Sequence, residues 1–169
     1  QMHQAVLKLK NLLNVEKDIY LQIFNIEEEK CEAIIKKSGK VLEELSVSQE
    51  RLLNKIESLE KERIKLMEEY KKHRNMHFHG SEITLQDIID SVDAASASSL
   101  KQAGVELKNV LLKVKNIQDV NSQLLKDNME FYDILISGLK NSSTLRSGYG
   151  SDGKEKGRVF NPVLFNIKA

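Results

Sequence analysis

Apolar residues in this 169-residue chain return every three or four positions over three long stretches, and that period leaves little choice of backbone. Only an α-helix lays such residues along one face. The first stretch carries Val6, Leu9, Leu12, Leu13, Ile19, Tyr20, Ile23, Ile26 and Ile34 and predicts a helix over about 4–37. The second carries Val41, Leu42, Leu45, Leu52, Leu53, Ile56, Leu59, Ile64, Leu66 and Met67 and predicts one over 41–74. The third runs from Val105 through Leu107, Leu111, Leu112, Val114, Ile117, Val120, Leu124 and Leu125 to Leu139 and predicts one over 98–140. At a rise of 1.5 Å per residue the first would span roughly 45 Å, which suits a rod-like bundle better than a compact globule.

The breaks between the stretches order the helices. Ser38-Gly39 follows Lys36 and Lys37, and a glycine just past two cations is expected to close the first helix and turn the second back antiparallel. Thr84-Leu85-Gln86-Asp87 reads as a capping box, opening a short helix over 85–93 whose Leu85, Ile88, Ile89 and Val92 can cross one end of the hairpin. The small residues from Ala94 to Ser99 are expected to form a bend, and Gly104 weakens the start of the last helix by about 1 kcal/mol relative to alanine. The expected fold is all-α: an elongated antiparallel, coiled-coil-like bundle of three long helices plus a short one over 1–140, with a flexible C-terminal tail over 141–169.

The last part of the third stretch, NSQLLKDNMEFYDILISGL from Asn121 to Leu139, is broader than one partner helix can cover. Leu125, Met129, Tyr132, Ile136 and Leu139 make one stripe, and Leu124, Phe131 and Leu135 widen it. The excess is expected to meet another partner, either the chain's own tail or a separate protein. That tail is polar from Asn141 to Arg158 and then apolar at Val159, Phe160, Val163, Leu164, Phe165 and Ile167, a pattern that suits a segment ordering on a partner or folding back on the bundle.

Other features restrict the chemistry. The 26 basic and 25 acidic side chains are mixed along the chain, giving a net charge of +1 and no call for a polyanion partner. The single Cys31 allows no internal disulfide and reads as a half-buried small hydrophobe. Glu27-Glu28-Glu29 reads as a solvated outer face, and His73, His77 and His79 as a polar loop rather than a metal site. No phosphate loop, nucleophile elbow or clustered acid pair appears, so neither enzyme nor cofactor is expected. The N-terminus lacks the character of a signal peptide and no 18-residue apolar run occurs, so a cytoplasmic protein without membrane insertion is expected.

Taken together, the order of these elements resembles the FlgN family of flagellar type III export chaperones. The likeness rests on the gap from Gly39 to Leu45, the second helix from Gln49 to Arg63, Ile83-Thr84-Leu85, and the long helix with Asn121, Leu124, Leu125 and Phe131 in order. The turn Tyr149-Gly150-Ser151-Asp152-Gly153 and the ending Asn166-Ile167-Lys168-Ala169 complete it. The resemblance implies a cytoplasmic chaperone that binds the terminal helices of the hook-filament junction proteins FlgK and FlgL. It would keep them from self-association and deliver them to the flagellar export gate. The implied client surface is Asn121, Leu124, Leu125, Phe131, Tyr132, Leu135, Ile136 and Leu139, joined by Tyr149, Val159, Phe160, Val163, Leu164, Phe165 and Ile167. The alternative is a structural coiled-coil module whose extra stripe closes a homo-oligomer, and even the chaperone leaves room for a weak homodimer. A nucleic-acid binder is the third and weakest reading, resting only on the tail's cations.

Overall fold

The computed structural model describes residues 2–74 and 82–138. Every regular element among them is helical: α1 (Met2–Ile35), α2 (Gly39–His73), α3 (Leu85–Ser91), α4 (Ala94–Asp127) and α5 (Met129–Gly138). α1 is the central helix and packs along both α2 and α4. Individual contacts give the directions. Glu27 of α1 meets Gln49 near the start of α2, and Glu16 faces Glu60 and Arg63 farther along it, so these two helices are antiparallel. Lys17 meets Glu106 and Glu27 meets Asn121, so α4 runs parallel to α1. The result is an up-down-up bundle of helices about 50 Å long.

Its main core joins Leu9, Leu13 and Ile23 of α1, Ile56 and Met67 of α2, and Leu100, Leu107, Leu111 and Val114 of α4. A smaller apolar cluster of Ala33, Ile34, Leu42 and Leu125 closes the hairpin end, with Leu45 and Leu124 packed against it. At the opposite end α3 buries Leu85, Ile88 and Ile89 in the main core. Seven residues rarely hold a helix unaided. Here the capping box expected from the sequence fixes its start: Asp87 N–H donates to Thr84 Oγ1 at 3.2 Å and Thr84 N–H to Asp87 Oδ2 at 2.8 Å. Tyr70 and Ser91 share a hydroxyl hydrogen bond at 2.8 Å that ties α3 to the end of α2.

Three boundaries differ from the sequence expectation. Gly39 does not close α1; it begins α2, and Lys37 adopts the left-handed conformation at φ 55°. Lys37 N–H donates to the Ile34 carbonyl at 3.1 Å and Ser38 N–H to that of Ala33 at 2.9 Å, the paired closure usually built on glycine. A three-residue connection dictates the left-handed position by geometry, and a lysine fills it. The segment from Ala94 to Ser99 is not a bend but the opening of α4, because the Asp93 carboxylate accepts from Ser96 N–H at 3.0 Å and caps it. The long last helix is interrupted at Asn128, where the backbone turns to φ −118°, ψ 49° and its N–H reaches back to the Leu125 carbonyl at 3.2 Å.

The central position of α1 also changes which apolar residues are covered. α2 and α4 each pack chiefly on α1, so only a narrow stripe of each is buried. Val41 and Ile64 of α2 and Val105, Leu112 and Val120 of α4 have the helical period of a core yet lie exposed. Residues 75–81, with His77 and His79, and the proposed tail over 141–169 are outside the described residues.

Because a non-glycine residue in the left-handed region costs about 1 kcal/mol, Lys37→Gly is expected to raise unfolding stability by up to about that amount. Lys37→Val should lower it, since a β-branched side chain fits this conformation worse. Urea unfolding monitored by circular dichroism reads both.

Candidate docking surface

The placement of the last helix follows from a buried polar layer. Glu27 is fully buried on the face of α1 that also holds Tyr20, Ile23, Lys30 and Ile34. One carboxylate oxygen accepts from Gln49 Nε2 at 2.8 Å and Lys30 Nζ at 3.1 Å, and the other from Asn121 Nδ2 at 2.7 Å. Asn121 also donates to the Glu27 backbone carbonyl at 2.9 Å, and Lys30 to Gln49 Oε1 at 2.9 Å. Three side chains, one from each of the three long helices, thus meet one carboxylate.

This layer corrects two expectations. Glu27 is not part of a solvated face, although Glu28 and Glu29 are exposed. Asn121, expected on the client surface, has its amide inside the bundle, and Leu125 is equally buried. The spacing held the signal: 20, 23, 27, 30 and 34 continue one helical stripe, with Glu27 and Lys30 occupying two core positions.

Asn121 lies level with Glu27, and α1 has only eight more residues before it ends at Ile35. α5 therefore begins about where the α1–α2 hairpin turns back, and its main packing is against α4. Met129 and Ile134 are exposed at 50% and 64%, beside exposed Glu130 and Asp133, while Phe131 is half-buried. Leu124, just before the break, is half-buried as well. The structure thus places Leu124 and Phe131 near one another in sequence at the free end, and takes Asn121 and Leu125 inside. The side chains of Tyr132, Leu135 and Ile136, and all of Leu139, Tyr149, Val159, Phe160, Val163, Leu164, Phe165 and Ile167, lie outside the described residues. Met129 and Ile134 add apolar surface that the client set read from the sequence omitted, and helical spacing alone could not show which side would remain uncovered.

A second polar layer lies nearer the middle of α1. Arg63 is buried and donates from Nε and Nη2 to the two Glu60 carboxylate oxygens at 3.1 and 2.7 Å, with Nη1 2.9 Å from Met67 Sδ. Glu16 is fully buried and neither of its carboxylate oxygens has a hydrogen-bond partner of good geometry. Burial, then the neighbouring Glu60, push its pKa up to about 9 against the pull of Arg63, so it holds a proton at neutral pH. The Tyr20 hydroxyl is raised by the same burial and by Glu16 and Glu60. Burial also raises the Cys31 thiol, followed by Glu32 and Glu28, which disfavours the thiolate. Among the described residues no group of His, Cys, Asp and Glu is arranged to hold a metal ion, and no helix is long and apolar enough to cross a membrane.

The family model described as FlgN protein matches residues 2–157, which takes in all five helices and the buried layers between them. The chain belongs to the FlgN family. No curated protein and no solved structure matches it. Membership in this family of chaperones carries the general role of a flagellar export chaperone that binds export substrates. In this FlgN-family chain the exposed apolar residues of α5 lie at the far end of the bundle from α3.

Two outcomes follow from the layers. Between about pH 4.5 and 9 the folded chain holds a proton on Glu16 that the unfolded chain has released, so stability should fall as pH rises through that window, by up to about 1.4 kcal/mol per unit. Glu16→Gln should flatten that slope, and urea midpoints at pH 5, 7 and 9 measure it. Asn121→Ala removes two donors from Glu27 and is expected to cost about 2–3 kcal/mol in the same unfolding measurement.

Proposed function

We propose that this chain is a cytoplasmic chaperone that binds the terminal helices of the hook-filament junction proteins FlgK and FlgL, prevents their premature self-association and delivers them to the flagellar type III export gate. The observation that carries this reading is α5: an apolar helix standing past the end of the hairpin with Met129 and Ile134 exposed. An amphipathic client helix can lay its apolar face there, as helix-in-groove recognition requires. Leu124, Phe131, Tyr132, Leu135, Ile136 and Leu139 are the sequence positions that would extend the contact, and the apolar tail from Val159 to Ile167 would wrap the bound helix. Asn121 and Leu125 serve instead by holding α4 in register against α1.

Co-purification of the full chain with the terminal helical segments of the junction proteins, followed by light scattering, is the test. A one-to-one complex is expected. Met129→Asp with Ile134→Asp should weaken it by a factor of about ten or more while leaving the helical circular dichroism unchanged. A complex indifferent to those changes and to Phe131→Ser with Leu135→Ser would remove α5 from the client site. Loss of residues 141–169 without effect on affinity would remove the tail.

A further inference from the structure

At the end of the bundle opposite α5, the first turns of α1 and the last turns of α2 border a groove of about 300 Å³. Ala5, Leu66 and Tyr70 form its apolar floor, Lys8 and His73 stand exposed on its two walls, and Glu69 is the one acid among the lining residues. Tyr70 is buried and its hydroxyl is held by Ser91 at 2.8 Å, so the ring is fixed before anything binds. The Arg74 guanidinium lies 5.8 Å from the ring centroid and brings a further cation to the edge. The surrounding charge is mainly positive. α1 carries Lys8 and Lys10 but no acid before Glu16, and α2 closes on Lys71, Lys72 and His73. Cations at the end of α2 are what its dipole favours; Lys8 and Lys10, near the start of α1, have no such cause. Asp87 and Asp90 of α3 are engaged within that helix and do not line the groove.

We propose that this groove docks an acidic amphipathic helix of a second protein, distinct from the export cargo. One bulky apolar side chain of that helix enters between Ala5, Leu66 and Tyr70, and carboxylates one turn to either side of it meet Lys8 and Arg74. Val15 continues the α1 edge two turns beyond Lys8 and is 45% exposed, so the contact from Gln4 onward is three turns long, roughly 16 Å. A contact of this size belongs to transient complexes. Charge complementarity selects an acidic partner over a basic or neutral one. The apolar floor selects an inserted side chain, which a flat lipid surface or a phosphate backbone does not supply. α5 begins past the level of Ile35, roughly 45 Å away along the axis, so this helix and a client occupy opposite ends and do not compete. The site is read from its own residues and does not rest on α5 as the client surface.

Fluorescence anisotropy of a labelled helical peptide, leucine on its apolar face and glutamate on its polar face, measures the binding when titrated with the full chain. The glutamate peptide should bind at least about tenfold tighter than the same peptide carrying lysine, and its affinity should fall as salt rises. Lys8→Glu with Arg74→Glu should reverse that preference; both side chains are exposed, so the fold should be kept. Gln4→Trp fills the groove without changing charge and should weaken the glutamate peptide about tenfold. Binding indifferent to the charge reversal or to Gln4→Trp overturns the proposal. So does displacement of the peptide by a junction-protein terminal helix, which gives the groove to the client. A chain that ignores the glutamate peptide yet floats with phosphatidylglycerol vesicles, in a manner that survives Gln4→Trp, overturns it in favour of a membrane.

Discussion

The register of the bundle depends on the carboxylate of Glu27. Apolar side chains tolerate sliding, because one leucine packs against the next turn of a neighbouring helix nearly as well as against its own. A buried charge does not. Glu27 finds a cation one turn along its own helix in Lys30, an amide from α2 in Gln49 and an amide from α4 in Asn121. Shifting either neighbour by a heptad would strand the carboxylate in an apolar interior. The position of α4 along α1 follows from this, and with it the length of chain that projects past the hairpin.

The second layer works differently. Arg63 and Glu60 form a two-pronged pair within α2 itself. Glu16 enters that layer from α1 as a neutral acid, because ionising it would put a second carboxylate beside Glu60 in a buried site. One layer thus aligns three helices and the other adds a proton-dependent cost between two. Neither maximises stability, since well-packed aliphatic residues could replace buried ions without loss. What the layers provide is a single alignment of the three long helices.

Much of this was legible in the residues. The three long helical periods, the Thr84-Asp87 capping box and the burial of Leu85, Ile88 and Ile89 were all readable from local spacing, because capping and amphipathic periodicity are short-range physics. The order of the elements resembled the FlgN family, and the family match over residues 2–157 agrees. Glu27 was misread because its neighbours Glu28 and Glu29 do face water, and a run of like residues hides the one whose angle points inward. Lys37 was missed because glycine is the usual left-handed residue and Gly39 stood two places away. The bend expected from Ala94 to Ser99 yielded to the cap at Asp93, one carboxylate outweighing weak local preferences.

By itself, then, the sequence determined that the chain is helical, where its helices begin within a few residues, and which family it resembles, since each of these depends on residues close together in the chain. Only the tertiary structure decided which apolar stripes are covered, and the reason is that coverage depends on which helix stands between the others. With α1 central, Leu111 and Leu125 are buried while Leu112 and Val120, in the same helix and of the same character, are left to solvent. It likewise decided that Asn121 anchors and α5 projects, because the distance from one to the other matters only once Asn121 has met Glu27 and α1 has come to its end.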